Sequence, residues 1–321
     1  MYDHIIEAAY GQPWAIAPSK LAIIEAFLAR RLGGERLNAD EVQAAMQAAL
    51  PRGPRPQSGG VAVIPIYGTI TQRAGLMSAM SGGTSIDVLT QQFRGALADP
   101  NVRAIVFDIA SPGGTVYGVQ ELAAEIYAAR GRKPIAAVAT SMAASAAYWL
   151  GAAAGDFAVT PSGEVGSIGV YAMHQDVSKA AEMVGVKTTF ISAGRYKVDG
   201  NPYEALSDTA RASMQAKVDA AYAQFTADVA RFRGVSVADV RNGFGEGDTV
   251  LAKDAKAMGM VDRVATLDEV AARLLGGSGQ AAMRADGFGA EMAEAEAPTV
   301  VADARTRAEW EWHKQRVRIP A

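Results

Sequence analysis

The sequence contains no cysteine, and this absence excludes several kinds of site. Without cysteine the chain has no disulfide, no thiolate metal site and no cysteine nucleophile. Histidine is also scarce, with three residues that lie far apart in the chain. A metal site built from histidines is therefore not expected. We predict that the protein binds no metal and uses no cofactor.

A basic excess and a strongly apolar run are missing as well. The net charge of −3 and the pI of about 5.7 do not suggest a nucleic-acid partner. Residues 134–155 carry no charge, but they are mostly Ala, Gly, Ser and Thr, whereas a membrane span needs about 20 strongly apolar residues. The N-terminus lacks the basic start and apolar run of a secretory signal. We expect a soluble protein of the cytoplasm, with no membrane partner.

Two shifts in composition divide the chain into three parts. The stretch PRGPRPQSGG, residues 51–60, is too rich in proline and glycine to continue the helical patterns before it. Beyond LLGGSGQ, residues 274–280, the sequence is acidic first and basic later, as in a flexible tail. We predict a helical N-terminal region and linker over residues 1–58, a catalytic domain over 59–276 and a flexible tail over 277–321.

The middle part alternates strand and helix patterns. Apolar strands are predicted at VAVIPI (61–66), AIVFDI (104–109) and PIAAVAT (134–140), each followed by a helical pattern. SIGVYAM (167–173) and KTTFIS (187–192) are predicted to be two further strands, and a long helix is predicted from about residue 208 to 232. Strands that alternate with helices predict an α/β fold with a mainly parallel sheet.

Two loops carry unusual chemistry where strands are predicted to end, and ligands of parallel sheets bind at that edge. In SPGGTVYG (111–118), the glycines allow backbone N–H groups to approach a ligand oxygen, which suits an oxyanion hole. In SMAASAAYW (141–149), Ser145 follows a strand, opens a helix and has small neighbours, which leaves room for an acyl group. A tight turn and an ordinary N-cap serine explain the same residues equally well.

A serine hydroxyl needs a base, and two candidates lie downstream of Ser145. His174 ends the pattern SIGVYAMH, and Lys197 lies in the loop SAGRYKVDGNPYE. A lysine acts as a base only when it is neutral, and burial lowers the pKa of a lysine by up to about 3–5 units. Serine–lysine pairs are a known variant of serine catalysis, although most lysines are solvated surface charges.

Five segments, taken in order, resemble the signal peptide peptidase A family of serine–lysine peptidases, and more closely its phage and prophage branch of head-maturation (capsid assembly) proteases. They are IPIYGTI, IASPGGTVYG, SMAASAAYWLGAAAGDFAVTPSGEVGSIGV, FISAGRYKVDGNPYEALSD and GDTVLAKDAKAMGMVDRV, and they span about residues 61–264. The N-terminal PWAI segment also looks like the phage branch.

The resemblance implies a Clp protease and crotonase-like spiral of ββα units. It also implies a role for particular residues: Ser145 as the nucleophile, Lys197 as the general base, the N–H groups of Gly114 and Ala146 as the oxyanion hole, and Ser167 or, less strongly, Ser162 as the hydroxyl that orients the lysine. Where family members have glycines after the serine, this chain has Ala146 and Ala147, which keep their N–H groups.

The same resemblance implies partners and a location. The expected substrates are proteins of an assembling phage shell, such as scaffold, portal or major capsid protein. The family assembles into homo-oligomeric rings whose active sites can form between neighbouring subunits, so Lys197 is a candidate base for the serine of an adjacent chain. The expected place of action is the host cytoplasm or the interior of the procapsid.

Three alternatives stay open at this stage. The first is a triad on the same fold, with Ser145, His174 and either Asp176 or Asp199 as the orienting acid. The second is a crotonase-type acyl-CoA enzyme, which explains SPGG but gives no role to Ser145 and Lys197. The third is a non-catalytic assembly protein that has kept the fold for self-association.

Overall fold

The computed structural model describes residues 13–16, 55–57, 60–73 and 83–276. Of the predicted N-terminal helical region and linker, only residues 13–16 and 55–57 are described. The predicted tail lies outside the described residues. The predicted domain boundaries after residues 58 and 276 therefore stay predictions.

The strands of the described ranges are mostly short, and the three longest lie in the centre of one sheet. In chain order they are β1 (Trp14–Ile16), β2 (Arg55–Gln57), β3 (Val61–Tyr67), β4 (Ile70–Thr71), β5 (Thr84–Ser85), β6 (Ala104–Ser111), β7 (Gly113–Thr115), β8 (Ile135–Ala144), β9 (Asp156–Val159), β10 (Glu164–Gly166), β11 (Thr249–Leu251) and β12 (Arg263–Val264).

The α-helices are α1 (Ile86–Ala98), α2 (Val119–Ala128), α3 (Ala146–Ala152), α4 (Ser178–Met183), α5 (Asp208–Arg233), α6 (Val237–Gly243), α7 (Ala252–Ala257) and α8 (Leu267–Leu274). The long helix α5 begins where the Ser207 side chain accepts a hydrogen bond from the Ala210 N–H at 3.1 Å, and it ends at Gly234, whose φ is +68°. None of the helices in the described ranges has the length and the apolar character that crossing a bilayer requires.

The chain winds through repeated ββα units. A long strand of the larger sheet (β3, then β6) leads into a short strand of the smaller sheet (β4, then β7) and then into a helix (α1, then α2). The larger sheet has the order β11-β10-β8-β6-β3-β2, with β9 beside β8, and the smaller sheet has the order β1-β7-β4-β5. The pairs β3–β6, β6–β8 and β8–β9 are parallel. The predicted α/β class and its spiral of ββα units are confirmed.

Burial on both faces explains why the central strands are continuous apolar runs in the sequence. On one face, Ile105, Phe107 and Ile109 of β6 pack into the main core with α1, α2 and α3. On the other face, Val106 of β6 belongs to a smaller cluster that includes Val270 of α8. The sheet therefore forms the rigid platform from which the β8–α3 connection projects.

Two of the predicted strands are wrong, and one predicted strand is too short. β8 continues to Ala144, so the turn that follows it is confined to Ser145. Residues 167–173 form no strand beyond one isolated bridge at Tyr171. Residues 187–192 form no strand and are exposed, because no strand of the described residues pairs with them. The helical patterns predicted after VAVIPI and AIVFDI are confirmed as α1 and α2, and the long helix predicted from about residue 208 to 232 is confirmed as α5.

An ion pair joins the end of α5 to the sheet. The Arg233 guanidinium binds both oxygens of Asp262, at 2.8 and 3.0 Å, and Asp262 also accepts a hydrogen bond from the Phe157 N–H at 2.7 Å. Burial alone would raise the pKa of the Asp262 carboxyl, but the hydrogen bonds and charge of Arg233 lower that pKa overall. The carboxylate form is therefore the one that stabilises the fold.

We predict that Asp262→Asn lowers the free energy of unfolding at pH 7 by roughly 1–3 kcal/mol, because it leaves Arg233 without its partner. A carboxyl whose pKa is depressed by folding stabilises above its unfolded pKa, near 4, and this stabilisation is lost as the pH falls through the folded pKa. The difference from the wild type should therefore shrink in acid. Urea unfolding at a series of pH values measures it, with Glu204→Gln, an exposed loop carboxyl, as the control. A difference that did not change between about pH 7 and pH 2 would contradict this explanation.

Candidate active site

Ser145 occupies a strained backbone position between β8 and α3. Its φ is +55° and its ψ is −118°, a conformation that costs a non-glycine residue about 1–3 kcal/mol. The Ser145 N–H donates to the Gly166 carbonyl at 2.7 Å, and the Ser145 carbonyl accepts from the Trp149 N–H at 3.0 Å. A serine held in this way at a sharp strand-to-helix turn has the geometry of a nucleophile elbow.

Two glycines bring the backbone of β7 close to this serine. A Cβ on Gly113, whose φ is +97°, would lie 2.9 Å from the Ser145 Cβ. A Cβ on Gly114 would overlap the Ile70 carbonyl of β4. Ser111 fixes the turn before them, because its hydroxyl donates to the Gly68 carbonyl at 2.7 Å and accepts from the Gly113 N–H at 3.1 Å. Only glycine fits at positions 113 and 114 without a shift of the neighbouring backbone.

The hydroxyl of Ser145 lies among backbone groups. The O–H group donates to the Gly169 carbonyl over a long distance of 3.4 Å, and the residue is 1% exposed. Ala146 is the first residue of α3, and an amide at that position has no acceptor within its own helix. The structure thus brings together Ser145, the backbone of Gly113–Gly114 and the N–H of Ala146. Whether Gly114 and Ala146 form an oxyanion hole stays a prediction.

Contacts with α5 and with Arg130 hold helix α3 in place. The Trp149 indole N–H donates to a carboxylate oxygen of Asp228 at 3.2 Å, and its ring stacks on Phe225 with the centroids 4.4 Å apart. At the end of α3, the Arg130 guanidinium donates to three successive carbonyls, those of Ala152, Ala153 and Ala154, at 2.6–2.9 Å. These contacts fix the helix that follows the serine. The Asp228 carboxylate is buried, and burying it without hydrogen-bond donors would cost free energy.

Lys197 lies away from Ser145 in the single chain. It belongs to a turn at residues 195–200 within a largely exposed segment, and its side chain is exposed. Within the described ranges, its ammonium group has no hydrogen bond or ion pair. Ser167 is nearer the site: it is 8% exposed, its φ is +51° and its N–H donates to the Asp248 carbonyl at 2.7 Å. Ser162 is exposed.

In the alternative triad, His174 and Asp176 are engaged with other groups, and Asp199 is exposed. His174 Nε2 lies 2.9 Å from the Asn201 carbonyl, to which it donates as the N–H tautomer. Asp176 accepts from the Ser178 N–H at 2.9 Å, and hydrogen bonds from the side chain and backbone of Ser178 lower the pKa of the Asp176 carboxyl. Asp199 is exposed. No hydrogen bond joins His174 to Ser145 in the part of the chain that the structure describes.

The sequence indicated the glycines of the SPGG loop as neighbours of Ser145, but it did not indicate the others. Gly166 and Gly169 also lie beside the serine, and strand β1 pairs with β7 next to it. Glycine is the residue type expected at a positive φ, as at Gly113 and Gly166. The sequence has 33 glycines, however, and it does not indicate which of them adopt a positive φ. Nothing in the short apolar run PWAI indicates which strand it joins.

A serine with a positive φ at a strand-to-helix turn, beside the amides of a glycine-rich strand, is an arrangement found in enzymes that use a serine nucleophile. The comparison with protein families agrees with an enzyme of this class, because residues 128–280 match peptidase family S49. Those residues, just under half of the 321, resemble that family.

Two phage proteins and a bacterial one are among its relatives. The chain is 35% identical over 249 residues to the head-tail preconnector protein GP5 of Enterobacteria phage P21, which covers 73% of this chain and 50% of that one. It is 34% identical over 249 residues to the capsid assembly protease C of Escherichia phage lambda, covering 73% and 57%. Protease 4 of Salmonella typhi is 31% identical over 221 residues, covering 68% and 35%.

The chain thus spans only about half the length of the phage relatives it matches, from 50% to 57%. Among solved structures, a ClpP1 mutant from Listeria monocytogenes superposes with a TM-score of 0.42 at 15% identity, covering 64% of this chain and 92% of that one.

We predict that Gly114→Ala destabilises the fold by at least about 1–3 kcal/mol, since its methyl group would displace the Ile70 backbone. Gly95→Ala is the matched control. Gly95 lies on the exposed side of α1 with nothing within 4 Å of the added carbon, so the same change should stabilise by about 0.5–1 kcal/mol. Urea unfolding compares the two. Equal stability of Gly114→Ala and the wild type would show that β7 does not pack against β4 as described.

Proposed function

We propose that this chain is a serine endopeptidase in which Ser145 is the nucleophile and Lys197 is the general base. The observation that carries the proposal is the strained backbone of Ser145, at φ +55°, next to the glycine strand β7. Strain of this kind persists at sites where a side chain must be presented in one direction. The match of residues 128–280 to a peptidase family supports the reaction, peptide bond hydrolysis.

The proposed reaction begins when neutral Lys197 takes the proton of the Ser145 hydroxyl. The serine oxygen attacks the carbonyl carbon of a peptide bond, and the N–H groups of Gly114 and Ala146 hold the oxygen of the tetrahedral intermediate. One such donor typically contributes about 10²–10³ in rate. The lysine then gives its proton to the leaving amine, and water hydrolyses the acyl-enzyme by the same route. Ser167 is the proposed hydroxyl that orients the lysine.

The exposed position of Lys197 supports a dyad formed between neighbouring copies of the chain. A lysine in water is protonated, so a catalytic Lys197 must be removed from water by something other than the described residues. The segment around it also exposes large apolar side chains, which is typical of a surface that packs against another protein. They are Met183 (88% exposed), Val184 (76%), Val186 (52%), Phe190 (39%), Ile191 (100%), Tyr196 (56%) and Tyr203 (41%).

A homo-oligomeric ring would remove Lys197 from water and would also cover the exposed apolar side chains around it. In a head-to-tail contact, the segment of residues 183–203 from one copy covers a different surface of the next copy, and repetition of this contact closes a ring. The first half of α5 offers further surface, because most of the buried residues of that helix lie between Phe225 and Phe232. In the ring, each Lys197 would be buried beside the Ser145 of its neighbour.

The proposed substrates are proteins of an assembling phage shell, namely scaffold, portal or major capsid protein. The support comes from two relatives, one described as a capsid assembly protease and the other as a head-tail preconnector protein. The corresponding place of action is the host cytoplasm or the interior of the procapsid. A non-catalytic assembly protein would not need Ser145 and Lys197, and a crotonase-type enzyme would use neither.

The first test compares the two candidate bases in purified full-length protein, with casein or a phage shell protein as the substrate. Ser145→Ala and Lys197→Ala should each lower the cleavage rate by roughly 10⁴-fold or more, whereas His174→Ala should retain most of it. Lys187→Ala, an exposed lysine of the same segment, is the matched control. Loss of cleavage in the histidine variant alone would assign the base to the triad instead.

The second test asks whether the dyad joins two copies. Inactive Ser145→Ala and Lys197→Ala chains, co-expressed in equal amounts, should recover about a quarter of the wild-type activity, because that share of random head-to-tail contacts pairs an intact serine with an intact lysine. Ser145→Ala co-expressed with the double variant Ser145→Ala/Lys197→Ala should stay inactive. Failure of the first mixture to recover activity, with assembly intact, would place both residues in one subunit.

A further inference from the structure

Strand β1 lies in the position where a peptide would have to lie to reach Ser145. It pairs antiparallel with β7, the glycine strand beside the serine, in the register Trp14↔Thr115, Ala15↔Gly114 and Ile16↔Gly113. On its other edge, the Trp14 N–H donates to the Tyr171 carbonyl at 2.8 Å, and the Tyr171 N–H donates to the Trp14 carbonyl at 3.0 Å. The segment is thus bonded along both edges, as an added strand is in peptide recognition by sheets.

The alternation of an extended strand indicates which carbonyl faces the site. The N–H and C=O of Trp14 both point to Tyr171, so those of Ala15 point the opposite way, toward Gly114 of β7. Gly114 carries the N–H that we propose for the oxyanion hole.

The distances around Gly113 give the same result. A Cβ placed on Gly113 would overlap the Ala15 carbonyl oxygen and would also lie 2.9 Å from the Ser145 Cβ. A peptide carbonyl of this chain therefore already lies beside the nucleophile.

Two of the three side chains of β1 lie apart from the main core, which includes Ala15. Trp14 and Ile16 form a small cluster of their own, packed against Tyr171 and Met173, and they are 0% and 2% exposed. Ala15, with its single methyl group, is the residue whose carbonyl is directed to β7. A small residue there matches the crowded space between β7 and Ser145.

We propose that residues 13–16 are an internal, substrate-like strand that occupies the peptide-binding cleft of the enzyme and competes with protein substrates. This inference rests on the proposed function, because it takes the cleft beside Ser145 to be the place where substrate binds. The full chain is then latent: a substrate enters only in the fraction of molecules from which β1 has moved out. Loosening β1 should raise apparent affinity for a peptide by the same factor by which it raises that fraction.

The experiment measures peptide binding rather than cleavage. The probe is a fluorescein-labelled peptide with the sequence of residues 10–20, YGQPWAIAPSK, and its anisotropy is followed in full-length Ser145→Ala protein. Adding Trp14→Ala, which removes the largest buried side chain of β1, should tighten binding at least about 10-fold. Ala15→Pro is the second variant, since it removes the N–H directed at β7 and leaves the apolar side chains of β1 in place.

The control is Val270→Ala, a buried truncation on the opposite face of the large sheet, which should leave the affinity unchanged. Circular dichroism confirms that each variant is folded. Equal affinity in all folded variants, or no binding in any of them, would overturn the inference. Tighter binding in both β1 variants without any cleavage by chains that retain Ser145 would uphold the occupied cleft and reject the peptidase. Cleavage by the wild type, together with peptide affinities that Trp14→Ala and Ala15→Pro leave unchanged, would uphold the peptidase and reject the occupied cleft.

Discussion

The hydrogen bond from the Ser145 N–H to the Gly166 carbonyl is the contact on which the rest of the site depends. The bond holds a non-glycine residue at a φ of +55°, a conformation that costs about 1–3 kcal/mol and that local sequence does not favour. The sheet supplies the acceptor, because β10 runs parallel to β8 and places Gly166 opposite Ala144. The energy of the buried core therefore maintains one serine in a direction that an isolated peptide would not adopt.

The surroundings of the serine follow from this single turn. Because β8 ends at Ala144 and α3 begins at Ala146, the serine lies at the junction, with a helix amide on one side and the glycine strand β7 on the other. Trp149, one helical turn further on, is tied to Asp228 of α5, so the helix cannot rotate without breaking a buried hydrogen bond. The proposed base is different, since Lys197 belongs to an exposed segment with an apolar surface that the described residues leave uncovered.

The sequence predicted the interior of the fold well and its edges poorly, for physical reasons. Strands buried on both faces appear as apolar runs, and for that reason 61–66 and 104–109 were predicted almost to the residue. KTTFIS at 187–192 has the composition of a strand, but it has no partner strand among the residues that the structure describes. Strand propensity mostly reflects packing against neighbouring strands. The strand-to-helix turn at Ser145 could be predicted because the residues that form it are local in the sequence. The pairing of β1 with β7 could not, because it joins residues about a hundred positions apart.

The central claim is that Ser145 is the nucleophile, and covalent labelling tests it most directly. The full-length protein would be treated with a serine-reactive fluorophosphonate, and the modified peptide would be identified by mass spectrometry. The account predicts one adduct, on the peptide that contains Ser145, and no adduct in protein denatured beforehand. An adduct on a different serine of a protein that cleaves substrate, with Ser145 unmodified, would contradict it.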